Sequence, residues 1–191
     1  VMRLLRQLNI REAVIAGHSM GSLVAVELAC SPAMHCTKLI LAGTALPMPV
    51  SPQLLTMCRE QALQAIRLIA KWSHNPAKLA SAEGSAETLI TQSQQLMERM
   101  HQENSPASLW TDMNACNIYE PDFDAMQQIQ CPVHLIAGEA DKMTPLQAAQ
   151  SAATRFRQSQ LHIIPAAGHA LMTESATETL EVMRNILGSA A

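Results

Sequence analysis

The sequence predicts an α/β fold, a mostly parallel sheet flanked by helices and interrupted by a helical insertion. Three observations carry this. Near the start, short apolar runs enclose a helical pattern, and strand, helix, strand is the unit that builds parallel sheets. From about residue 46 to residue 128 the chain turns to good helix formers, and glycine nearly vanishes, with Gly84 alone remaining. Beyond that segment the alternation of apolar runs and helical patterns resumes.

Taken in order, Val1 to Asn9 reads as a helix, with Leu4, Leu5 and Leu8 at helical spacing. Ala13 to Ala16 is a buried strand ending at Gly17. Gly21 to Cys30 is a helix stopped by Ser31-Pro32, and Lys38 to Ala42 is a second buried strand. The proline-rich break PMPVSP opens the insertion, with helices expected over Pro52 to Trp72, Ala86 to His101 and Pro106 to Tyr119. Strands follow at Pro132 to Ala137 and Gln160 to Ile164, with a helix from Pro145 to Arg155 between them. A last helix spans Thr173 to Leu187, with Gly188 as its stop. The expected organisation is therefore core over 1–45, helical insertion over 46–128 and core again over 129–191.

Composition narrows the function. The 191 residues suffice for one domain. A net charge of -3 and only 15% charged residues offer no basic face for a nucleic acid or an anionic membrane. No apolar run reaches the length of a membrane span. The five cysteines, at 30, 36, 58, 116 and 131, form no C-x-x-C pair, so a reduced, cytoplasmic setting is expected rather than a disulfide framework. Cys30 and Cys36 are close enough in sequence to meet across a loop, but read more simply as two semi-buried thiols. No His/Cys/Asp spacing suggests a zinc site, and no cofactor is expected.

The chemistry is carried by Gly17-His18-Ser19-Met20-Gly21, a G-x-S-x-G pattern between a strand and a helix. A sharp turn there lifts a serine hydroxyl off the strand end. Glycine is expected at both flanks because side chains would collide with neighbouring backbone. The following helix aims its N-terminus at the site, and the N–H of Met20 can donate to a developing oxyanion. A serine hydroxyl needs a general base. His169 follows the last strand in the loop PAAGH, and Asp141 follows the third strand in the turn GEAD. Each alone is an ordinary loop histidine or turn former. Together with Ser19 they stand at the C-terminal ends of parallel strands, where ligands bind in open sheets, and in the chain order Ser, Asp, His. Glu139 competes for the acid role. His18 is expected to point away and to pack, and His134 and His162 to be core or surface residues.

The segments VIAGHSMGSLVAVELA, LILAGTA, PVHLIAGEADKMTP and IIPAAGHALMTE resemble the elbow, following strand, acid turn and histidine loop of α/β-hydrolase-fold proteins. They look most like bacterial lid-bearing esterases, lactonases, carbon–carbon bond hydrolases and haloperoxidase-like members. The resemblance implies Ser19 as nucleophile, Asp141 as acid and His169 as base, with the insertion as a lid over a small, apolar substrate. Ser19, where dehalogenases and epoxide hydrolases of this fold carry aspartate, argues against both. Trp110, Met143 and Leu171 are candidate pocket residues. The family's strands before the elbow, and the loop giving a second oxyanion N–H, have no counterpart here. With a start at Val1 inside a helical pattern, this leads us to expect a piece of a longer chain, with its supporting strands outside these residues.

The expected reaction is two-step acyl transfer to water through an acyl-enzyme. A thioesterase or acyltransferase of the same fold is the nearest rival. A non-catalytic binding protein or inactive fragment is the third reading.

Overall fold

A computed structural model describes residues 1–79 and 86–188 of the chain; Gly84 lies outside them. Four parallel strands, β1 (Glu12–His18), β2 (His35–Ala42), β3 (Val133–Gly138) and β4 (Ser159–Ile164), lie side by side in chain order. Register places Leu39 opposite Val133, and Val133 in turn opposite Ser159. All four strands therefore end on one side of the molecule, and the candidate residues of the elbow, acid turn and histidine loop follow β1, β3 and β4 there.

The central strands β2 and β3 are apolar because both their faces are covered. The outer strands are not covered in this way, and Val14 of β1, expected in a buried strand, and Ile163 of β4 are exposed. Along β2, Leu39 and Leu41 face one core and Ile40 the other; along β3, Leu135 and Ile136 divide in the same way. The first core is closed by α1 (Met2–Gln7), α2 (Met20–Cys30) and α9 (Leu146–Ala153), which contribute Leu23, Val26 and Ala152 among others. The second core is closed by α10 (Leu171–Glu174) and α11 (Ala176–Gly188), through Leu171 and Ile186. Leu39, Leu41 and Leu135 have no exposed surface. Truncating any of them to alanine would cost roughly 2–5 kcal/mol.

Between β2 and β3 the chain forms α3 (Pro52–Glu60), α4 (Ala62–Trp72), α5 (Pro76–Leu79), α6 (Ala86–Glu103), α7 (Ser108–Asn117) and α8 (Phe123–Gln127). Ser51 caps α3 by accepting from the Leu54 N–H, with Pro52 in the first turn. Asp122 caps α8 in the same manner through the Asp124 and Ala125 amides. The single helix expected over Pro52 to Trp72 is broken at Gln61, whose φ of -141° leaves the helical region. The break turns the two pieces so that Leu54 and Cys58 of α3 meet Ala65 and Ile69 of α4 in one apolar cluster. Ser175, with φ -140°, divides the expected closing helix likewise. The short helices α5 and α8 carry too few residues to show a period in sequence. No helix among the described residues is long and apolar enough to cross a membrane.

Candidate active site

Ser19 has φ 53° and ψ -124°, a conformation that L-residues adopt at a cost of about 1–3 kcal/mol. Local bonds hold it. The Ser19 N–H donates to the Ala42 carbonyl at the end of β2 (2.9 Å). The buried Ser22 hydroxyl bridges the Ser19 carbonyl (2.6 Å) and the Thr44 hydroxyl (2.7 Å). A Cβ on Gly17 would overlap the Gly21 carbonyl, so β1 and α2 can approach only with glycine there. Gly21 differs from expectation, since a Cβ on it would meet nothing within 4 Å. Steric need for glycine thus rests on Gly17 alone. Met20 is the first residue of α2, and its N–H belongs to the amides that no intrahelical carbonyl reaches.

The acid turn and the histidine loop meet. His169 Nδ1 lies 2.8 Å from Asp141 Oδ2, both residues buried. The other carboxylate oxygen, Oδ1, accepts from the Met143 N–H (2.7 Å) and the Thr144 N–H (2.8 Å). Thr144 Oγ1 donates to Oδ2 (2.8 Å) and stands 3.2 Å from His169 Nδ1. Burial pushes the Asp141 carboxyl up, but the hydrogen bonds and charge of His169 and the Thr144 donors outweigh it and hold it below its ordinary range. An ionised Asp141 fixes the His169 proton on Nδ1, leaving Nε2 as the basic nitrogen.

His18 does not point away. Its ring lies 4.7 Å, centroid to centroid, from that of His169, and its Nε2–H donates to the His169 carbonyl (2.9 Å). Burial, then the neighbouring His169, lowers its pKa, so it is neutral at neutral pH. Gly43, at φ 53°, lies beneath both rings, and a Cβ there would stand 3.0 Å from His169 Nδ1 and 3.2 Å from His18 Nε2. Through His18 and Gly43, the turn bearing Ser19 and the loop bearing His169 are packed together.

The histidine loop is further tied to the end of α4. The Ala170 N–H donates to the Ser73 carbonyl (2.7 Å), and Asn75 Nδ2 to the Ala166 carbonyl (2.7 Å). The buried Glu174 carboxylate accepts from the Asn75 N–H (2.8 Å) and from the Gly168 N–H. Glu139, the rival acid, instead accepts from the Ala166 N–H (2.9 Å), at a residue whose φ is 54°. Its carboxylate supports the loop rather than the imidazole. His134 and His162 face each other across β3 and β4 (Nδ1 to Nε2, 3.1 Å), away from this site.

Of the candidate pocket residues, Trp110 and Met143 are half-buried against the α3–α4 cluster, which joins the acid turn to the helical segment. Leu171 has no exposed surface and packs with Ile40, Ile136 and Ile164 in the second core. It cannot line a pocket, because α10 turns it under the sheet. The supporting roles of Thr144, Glu174 and Asn75 are not legible in the sequence. Each acts on a partner distant in sequence or through a side-chain bond that carries no pattern.

The fold is shared with solved esterases and a bromoperoxidase. A thermophilic esterase matches at 25% identity and a TM-score of 0.79, over 98% of this chain and 69% of that one. An esterase from Exiguobacterium antarcticum matches at 18% identity and 0.80, over 97% and 70%. A bromoperoxidase from Bacillus anthracis matches at 16% and 0.82, over 98% and 71%. Among curated proteins there is no significant sequence match. These likenesses show the α/β-hydrolase fold, and with the family match to residues 2–176 they define the class as an α/β-hydrolase-fold enzyme. Residues 2–176 match the serine aminopeptidase S33 family, and the chain belongs to that family.

Proposed function

We propose that the protein is a serine hydrolase of esterase type, cleaving an ester-like bond of a small, apolar substrate through Ser19, His169 and Asp141. The observation that carries this reading is the placement of His169 between two partners. Asp141 holds its Nδ1 at 2.8 Å, and His18, the immediate neighbour of Ser19, packs on its ring. In the proposed reaction the Ser19 hydroxyl attacks the carbonyl carbon while His169 Nε2 takes its proton. Asp141 stabilises the imidazolium, and the Met20 N–H donates to the oxyanion. His169 returns the proton to the leaving alkoxide, then activates the water that releases the acyl group. The segment from α3 to α8 acts as a lid, and its apolar cluster beside Met143 supports an apolar acyl or alcohol group.

Fluorophosphonate labelling tests the nucleophile. The protein is expected to take up one label, on Ser19, and Ser19→Ala to take up none. Equal labelling of the two overturns the assignment. Parallel assays with a p-nitrophenyl ester and an acyl-CoA separate ester from thioester cleavage, and faster release of free thiol would transfer the reading to a thioesterase.

A further inference from the structure

At the opposite end of the sheet from Ser19, two thiols meet. Cys36 is the second residue of β2, and Cys131 lies just before β3. The Leu39 N–H donates to the Pro132 carbonyl (3.0 Å), which brings the entries of these neighbouring strands together. Both cysteines pack in the same apolar core, Cys36 buried and Cys131 half-buried. Both thiols line one cleft at this end of the sheet, and the Cys36 thiol donates to the Lys38 carbonyl (3.2 Å). A cleft of about 520 Å³ opens over the pair, walled by Met34, His35, Gln128 and Gln158. Cys36 thus shares its cleft with Cys131, from across the insertion, and not with its sequence neighbour Cys30.

We propose that Cys131 and Cys36 form a peroxide-reactive dithiol that closes reversibly into a disulfide. Cys131 faces the cleft and attacks first. Its thiolate sulfur bonds to one peroxide oxygen, the O–O bond breaks, and the departing hydroxide takes up a proton to leave as water. The Cys36 sulfur, giving up its proton, then attacks the Cys131 sulfenic sulfur. The S–O bond breaks, and the hydroxyl leaves with that proton as a second water. Two thiols lose two electrons, and one peroxide becomes two waters. A small-molecule thiol reverses the reaction by two exchange steps.

The environment supports this division of labour. The neighbouring Cys36 thiol pulls Cys131 down to about 7 against the effect of burial, with a backbone amide and His35 assisting. Cys36 is pushed up by the neighbouring Cys131 and by burial. Cys30, by contrast, is pushed up to about 11 by burial and by Glu27 and Asp122. Alkylation at pH 7 is therefore expected to be roughly tenfold or more faster at Cys131 than at Cys30.

The test treats the whole protein with one equivalent of hydrogen peroxide and maps the products by mass spectrometry. A Cys36–Cys131 cross-linked peptide is expected, with the five free thiols of the reduced chain lowered by two and restored by dithiothreitol. In Cys36→Ser, dimedone should trap a sulfenic acid at Cys131. The cross-link encloses the whole helical insertion, so the oxidised protein should melt on the order of 10 °C higher. Phenylarsine oxide, which chelates paired thiols, should bind the unmutated protein at one equivalent, a readout that needs no variant to fold. Oxidation spread evenly over Cys30, Cys58 and Cys116, or no intramolecular cross-link, overturns the proposal. So does the absence of arsenical binding.

Discussion

His18 donates its Nε2–H to the carbonyl of His169, across 2.9 Å, while its ring rests against the imidazole of that same residue. The turn that raises Ser19 therefore also carries the brace for the proposed base. Replacing His18 by alanine removes one neutral hydrogen bond and the ring contact. At about 1 kcal/mol for such a bond, the rate of fluorophosphonate labelling should fall roughly fivefold. Circular dichroism should show an unchanged fold. Labelling at the parent rate would mean that the contact plays no part in placing His169.

Thr144 offers a sharper test of the Asp141–His169 pair. Its hydroxyl donates to the carboxylate oxygen that also accepts from the imidazole. In Thr144→Val, Asp141 keeps the two backbone donors on Oδ1 but loses one donor on Oδ2. We expect kcat for a p-nitrophenyl ester to fall roughly tenfold with KM little changed, since the group acts through another residue. Asp141→Asn should be far more damaging, by about 10⁴ in kcat, because it reverses the tautomer of His169.

Glu174 anchors the histidine loop from beneath. Glu174→Ala leaves the Asn75 and Gly168 amides without their acceptor. Each amide so orphaned costs about 1–3 kcal/mol, measurable as a lower urea midpoint. The rate of Ser19 labelling should fall too, since the loop that loses its anchor carries His169. A lowered midpoint with full labelling would separate the loop's stability from its function.

Stability should also depend on pH in a defined direction. Burial lowers the pKa of His18, His134 and His162 below their ordinary 6.5. The unfolded chain therefore binds more protons than the folded one just below that value, and stability falls as pH drops through it. Above about pH 6.5 these groups contribute no slope. Asp141, held low in the fold, adds a further loss once pH falls below its ordinary 3.8. Urea midpoints from pH 8 down to pH 4 should be flat, then decline from about pH 6.5. His134→Gln should flatten part of that decline, and an unchanged profile would remove His134 from the account.

How much of this was legible in sequence follows from what each residue depends on. β2 and β3 announced themselves because both their faces are buried, leaving continuous apolar runs, while β1 and β4 kept short apolar runs although one side of each is partly exposed. Asp141 and His169 were readable because parallel strands deliver their following loops to one edge, whatever the helices between them do. The helix breaks at Gln61 and Ser175 were not readable, since neither residue type forbids a helix. There, the gain from folding two apolar faces onto one cluster overrides propensity. Leu171 looked like a pocket residue from its nearness to His169 in sequence, but the turn into α10 rotates it beneath the sheet. The contacts of His18, Thr144 and Glu174 join positions too far apart in the chain, or too ordinary in type, to leave a pattern.

The connection from β2 to β3 bears on the order in which the molecule forms. β1 pairs with β2, and β3 with β4, across a single intervening helix in each case, so both halves of the sheet can assemble from local contacts. The central pairing of Leu39–Ala42 with Val133–Ile136 must bring together positions separated, among the described residues, by six helices. Closing so long a loop is entropically costly and slow. The two halves and the helices between them are therefore expected to form first, and the pairing at the middle of the sheet to follow late. Until it closes, one edge of β2 and one of β3 stand unpaired, and in that interval the chain is most exposed to pairing with a neighbour.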